Sequence, residues 1–120
     1  MILAATTISS PNPRRLADFY SSLLDWPVTE DSGGWAKLTP PNGGPGLSFH
    51  IEESYEPPAW PARDGHPQMQ QHLDIEVDDL QQGAARAVAA GATVADFQPQ
   101  DDVRVCLDPD GHPFCLFIRP

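Results

Sequence analysis

His72 lies in Gln71-His72-Leu73-Asp74-Ile75-Glu76-Val77, where polar and apolar residues alternate. If the alternation is a strand with Leu73, Ile75 and Val77 packed under helices, His72 falls on the opposite face. There its imidazole can ligate a metal, or simply face a cavity, bonded to a neighbour or to water. Cys115 offers a soft ligand or a nucleophile. A thiol acts as either only as the thiolate, which needs a nearby base or positive charge, and Arg119 is the candidate cation on its strand face. The plainer reading is a buried structural cysteine. A hairpin turning at Asp110-Gly111 would set Cys106 almost opposite Cys115, but the strict dihedral of a disulfide favours two free thiols. His50 suits a metal ligand, an acid–base group or a strand-end surface residue, and the sequence does not choose among them. His112 reads as a hydrogen-bonding turn residue and His66, in Asp64-Gly65-His66-Pro67, as solvated. The pairs Glu30-Asp31, Glu52-Glu53 and Asp101-Asp102 have the composition for acid–base work, yet each flanks a strand and reads as solvated. Trp26 closes an apolar helix stripe and reads as core, whereas Trp35 opens a strand and can face either way. Trp60 sits on a proline-stiffened loop, Pro57-Pro58-Ala59-Trp60-Pro61, suited to lid a cavity or pack at a dimer interface.

The elements that must carry these groups are short, because 14 prolines and 9 glycines in 120 residues leave no room for long helices. Ile2 to Ile8 reads as a strand, ending at Ser9-Ser10-Pro11. Asn12-Pro13 is a helix start, and Leu16, Phe19, Tyr20, Leu23 and Leu24 form one apolar stripe that Pro27 ends. Extended segments follow at Val28 to Glu30, Trp35 to Thr39 and Gly46 to Glu52, separated by glycine- and proline-rich turns. Glu53 to Gln70 has no hydrophobic period and reads as a linker or exposed loop. The order then repeats: a strand from Gln71 to Val77, a helix capped by Asp79 with Gln82 three residues on and stopped by Gly91, and strands at Thr93 to Phe97, Val103 to Leu107 and Pro113 to Arg119. Gly83 is out of place inside that helix. Asn12 and Asp79 are 67 residues apart, as are Ile51 and Ile118, so the halves read as a duplicated unit.

Seventeen acidic against seven basic residues give a formal charge of −10, with a single lysine. Clustered cations for phosphate neutralisation are lacking, so no nucleic-acid partner is expected. No apolar run approaches the roughly 20 residues that cross a bilayer, and the first residues do not have the make-up of a secretory signal. Two cysteines without an export signal suggest reduced thiols and a cytoplasmic location.

Three segments together resemble the vicinal-oxygen-chelate superfamily of glyoxalases, extradiol dioxygenases and bleomycin- and fosfomycin-resistance proteins. They are His72 to Leu80 (HLDIEVDDL), Ala89 to Val94 (AAGATV) and Leu107 to Leu116 (LDPDGHPFCL). The Asn12 to Trp26 helix and Leu47-Ser48-Phe49-His50 fit the first half, and the whole is similar to the glyoxalase-like domain subgroup. The resemblance implies an α+β fold in which two β-α-β-β-β modules form a cupped mixed sheet around one pocket. Residues 1–120 would be one domain: module one 1–53, a loop 54–70, and module two 71–120. In the metal-dependent members, one side chain from the first and one from the last strand of each module hold a divalent ion such as Zn, Ni, Fe or Mn. Those positions fall on His72 and Cys115 in the second half. In the first half they fall on Ala5 and on Ser48, or on Phe49 or His50 if a gap intervenes.

The expected function is therefore small-molecule binding of the glyoxalase and bleomycin-resistance type, with no complete metal site and no cofactor. Thr7, Phe49, His50, His72, Cys115 and Phe117 would line the pocket, with Trp35 and Trp60 at its mouth. The acidic surface would draw cationic or metal-bearing ligands, a basic antibiotic among them, and is equally compatible with ordinary solubility. The alternative is a divalent-metal-dependent lyase, isomerase or dioxygenase using His72 with His50. The resemblance also implies a homodimer.

Overall fold

The computed structural model describes residues 1–119, which form two compact units divided between Tyr55 and Glu56. In the first unit the elements are β1 (Ala5–Ser10), α1 (Pro13–Leu24), β2 (Val28–Asp31), β3 (Trp35–Leu38) and β4 (Gly46–Ile51). In the second they are β5 (Asp74–Glu76), α2 (Leu80–Ala90), β6 (Thr93–Val94), β7 (Val103–Leu107) and β8 (Pro113–Phe117). Each unit holds one four-stranded mixed sheet, ordered β1-β4-β3-β2 and β5-β8-β7-β6, so the predicted β-α-β-β-β order occurs twice. Neither sheet closes on itself. No helix among the described residues is long and apolar enough to cross a membrane.

Both helices begin where the sequence signals them. Asn12 accepts a bond from the Arg15 amide and Asp79 one from the Gln82 amide, each satisfying an amide that a helix start leaves without an internal partner. Gly91 ends α2 at φ 127°, a backbone region that side chains disfavour, and its N–H reaches the carbonyls of Ala87 and Val88. Gly83 has a packing reason. A Cβ there would stand 3.1 Å from a Val77 methyl, so its absence lets α2 come close to the chain leaving β5.

α1 lays Leu16, Tyr20 and Leu23 against its sheet, where Ala36, Leu38, Leu47 and Phe49 complete a buried layer. Phe49 stacks on Tyr20 with ring centroids 5.8 Å apart. In the second unit Phe114, Leu116 and Cys106 are buried, and they share one sheet face because Cys106 is paired with Phe114.

Several strand boundaries differ from expectation: β1 begins at Ala5 rather than Ile2, β6 stops at Val94 rather than Phe97, and β8 stops at Phe117 rather than Arg119. β1 runs on through Ser9 and Ser10 instead of stopping before them. It pairs in parallel with all of β4, and both serine hydroxyls find partners: Ser9 with His50, Ser10 with the Asn12 amide. β5 is shorter than Gln71 to Val77. The Gly46 amide donates to Ala4 at the start of the first ladder, whereas Pro113 holds the matching place in β8 and has no N–H to give. The ladder therefore opens one step later, with the Cys115 amide on the Leu73 carbonyl.

The segment after Glu56 is tied to the second unit. The Ala59 amide donates to the Pro67 carbonyl, and Ala59 bridges Gln68. Trp60 packs on Phe97 at 5.9 Å between ring centroids and donates its indole N–H to the Phe97 carbonyl, a neighbour that sequence reading did not supply.

Candidate functional site

The register of the two parallel ladders fixes the comparison between the halves. Thr7 faces Ser48 across β1 and β4, and Asp74 faces Cys115 across β5 and β8. Both members of the second pair lie 67 positions beyond those of the first, so the repeat runs through these strands without a gap. The first-half counterpart of Cys115 is thus Ser48, and that of His72 is Ala5.

Because Phe49 packs under α1, its neighbours Ser48 and His50 belong to the other face of β4. Paired strands bring Trp35, Lys37, Thr7 and Ser9 to that same face. Phe49 is 0% exposed and leaves the set of expected lining residues for the core. His50 is held at both nitrogens. Nδ1 lies 3.2 Å from the Ile51 carbonyl, which can only accept, so Nδ1 donates and Nε2 accepts from the Ser9 hydroxyl at 2.9 Å.

In the second unit the face turned away from Leu116 and Phe114 carries Asp74, Glu76, Cys115, Phe117, Val103 and Val105. His72 joins them through space: Nε2 stands 3.1 Å from Asp74 Oδ1. One ligand atom each of His72, Asp74 and Cys115 all lie within 4.8 Å of one another. Asp74 has no counterpart among the positions singled out from the sequence, although its place two residues after His72 on an alternating strand was the available signal. Arg119 does not serve Cys115. Its guanidinium donates to Glu76 at 2.7 Å. The Cys115 thiol is accordingly raised above its usual range, first by burial and then by the Asp74 carboxylate. Cys106, on the opposite face, is pushed up to about 11 by burial first, with Cys115 adding to it.

Among the sites expected to be solvated or structural, His112 sits in the turn as anticipated. Its Nδ1 lies 2.8 Å from Asp108 Oδ2, and Asp108 also accepts from the Asp110 and His112 amides. This pins the turn between β7 and β8, and with it the register that presents Cys115.

A family model described as a glyoxalase-like domain matches residues 5–117. The chain belongs to the glyoxalase-like family. Solved structures agree on the fold. A glyoxalase/bleomycin resistance protein/dioxygenase family enzyme from Burkholderia phytofirmans PsJN is 20% identical, with 98% of each chain covered and a TM-score of 0.75. A glyoxalase-related enzyme from Fulvimarina pelagi is 18% identical, with 98% of this chain and 87% of that one covered and a TM-score of 0.68. The oxidase ChaP-H2 is 20% identical, covering 100% of this chain and 94% of its own at a TM-score of 0.67. No curated protein matches the chain.

The four-residue metal set of the superfamily does not fit this glyoxalase-like chain. Ala5 has no donor atom, and Ser48 offers a neutral hydroxyl, a poor ligand for Zn, Ni, Fe or Mn beside imidazole, carboxylate or thiolate.

Proposed function

We propose that this glyoxalase-like protein binds a small organic molecule on the helix-averted faces of its sheets, without the four-residue metal set. The ligand-contacting side chains are Thr7, Trp35 and His50 in the first unit and His72, Cys115 and Phe117 in the second. Trp60 adds an aromatic edge from its loop.

The observation that carries this reading is the chemistry of those faces. A face built only to be packed would repeat the apolar layer found under α1. Instead, each presents hydroxyl, imidazole, amine, carboxylate or thiol groups beside a half-buried aromatic, Trp35 in one unit and Phe117 in the other. That mixture of apolar area and a few polar groups suits the orientation of a small ligand. The acidic balance favours a cationic ligand, a basic antibiotic of the bleomycin class being one candidate. The protein acts as a cytoplasmic homodimer in this reading.

The metal-dependent lyase, isomerase or dioxygenase reading is less well supported, since it needs His50 as a partner of His72 and both His50 nitrogens are engaged. Thermal-shift screening tests the proposal, using cationic aromatic compounds, bleomycin and neutral vicinal diols as the panel. A specific ligand raises the melting temperature with dose, as binding to the native state requires. A panel without any dose-dependent shift counts against small-molecule binding.

A further inference from the structure

We infer that Lys37, Ser48 and Thr7 form a subsite for the carboxylate of a small aromatic acid, whose ring packs on Trp35. The inference rests on the reading that this face binds a small organic molecule, and it names the chemistry of the part that lies on the first unit.

The three residues stand side by side across the sheet. Lys37 of β3 is paired with Ser48 of β4, and Ser48 with Thr7 of β1. Neighbouring strands lie about 4.7–4.9 Å apart, so the row spans about 10 Å. Ala36 and Leu38, on either side of Lys37, are 0% exposed in the layer under α1, which sends Lys37 to the helix-averted face.

Each member is short of a partner. Lys37 is the only lysine of the chain and is half-buried, yet it makes no ion pair among the described residues, whereas Arg14 and Arg119 both do. Ser48 is 2% exposed, and its hydroxyl has no hydrogen-bond partner among the described residues. No unpartnered polar side-chain atom of those residues is sealed from solvent, so the little of Ser48 that is exposed includes its hydroxyl. Thr7 is exposed at the end of the row. Ser48 thus forms a floor between two more open flanks.

An ammonium and two hydroxyls can all donate, and an ionised carboxylate only accepts. Charge-assisted bonds of this kind are roughly twice as strong as neutral ones. Trp35 is half-buried two residues before Lys37, about 6.4–6.8 Å along the same face, where an aromatic ring finds an indole to pack on. The nearest acid by register is Glu30, paired with Lys37 from β2. It is exposed, makes no ion pair among the described residues, and follows a register shift after Val28 that re-aims side chains. The formal charge of −10 acts over distance and is screened within about 8–10 Å at ordinary salt, whereas the row acts at contact. A carboxylate here is compatible with a cationic group elsewhere on the same ligand.

Calorimetric titration of the full chain with 3-phenylpropanoate, 3-phenylpropanamide and 3-phenylpropylammonium tests this. The acid should bind at least about ten-fold more tightly than either counterpart. Rising salt should weaken the acid and leave the amide unchanged. Lys37→Met should erase the preference, Ser48→Ala should weaken the acid about three-fold or more, and Glu30→Gln should not weaken it. Equal binding of the three compounds, a preference that survives Lys37→Met, or loss of acid binding in Glu30→Gln would each overturn the subsite. Binding of the amide or the ammonium compound without the acid rejects the carboxylate and leaves small-molecule binding standing. No binding by any of the three also overturns the subsite, and the thermal-shift panel then decides small-molecule binding separately. Where Lys37→Met does not fold, the unaltered protein decides, because salt-insensitive binding of the acid rejects the inference.

Discussion

Cys106 and Cys115 lie on opposite faces of one hairpin, Cys106 paired with Phe114 and Cys115 with Val105. Sequence reading sets them almost opposite each other, and a one-residue difference in register separates them, because side chains alternate along a strand. Both are free thiols. Under native conditions an alkylating reagent should modify Cys115 first and Cys106 only as the chain unfolds, since Cys106 is 0% exposed. Peptide mass spectrometry over a time course reads the order. Equal rates at both sites would place Cys106 at the surface.

The same burial makes stability fall at alkaline pH. Cys106 loses its proton near 9 when unfolded and near 11 when folded, so between these values the native state holds the extra proton. Its contribution is intact below pH 9 and is lost as pH rises towards 11. Urea midpoints across this range should decline more steeply for the parent chain than for Cys106→Ala. Parallel pH profiles would contradict the burial effect.

Neighbouring residues on β4 should respond very differently to truncation. Phe49→Ala removes a ring stacked on Tyr20 inside the core and should cost about 3–5 kcal/mol. His50→Ala loses a half-exposed pair of hydrogen bonds and should cost about 0.5–1.5 kcal/mol. Chemical denaturation measures both, and similar losses would mean that the facing of β4 is wrong.

Asp108 should matter more than its turn position suggests. Its side chain is 0% exposed and accepts from two amides and the His112 imidazole. Asp108→Ala removes the acceptor of all three and should cost about 1–3 kcal/mol, the penalty for the one buried bond, that from the Asp110 amide. A loss below about 0.5 kcal/mol by equilibrium unfolding would show the turn is held otherwise.

The fold was legible where local chemistry and pattern agreed. Asn12, Asp79 and Gly91 marked helix ends through their capping ability, and the 67-residue offset survives in the ladder register. What stayed hidden depends on partners distant in sequence. Ser9 and Ser10 look like a strand's end until His50 and the Asn12 amide take up their hydroxyls. Phe49 reads as a lining residue in the sequence, since Leu47-Ser48-Phe49-His50 does not declare which side faces α1. Asp74 reads as an ordinary polar position of an alternating strand, and only the pairing with Cys115 brings it to the cluster.

Amide-resolved NMR titration with the strongest ligand from the thermal-shift panel tests the central claim most directly. Resonances of Thr7, Trp35, His50, His72, Cys115 and Phe117 should shift in a saturable, dose-dependent way, while those of Leu16, Tyr20 and Ala87 in the helices stay in place. Perturbations confined to the helices, with those six residues unmoved at saturation, would contradict ligand binding on the sheet faces.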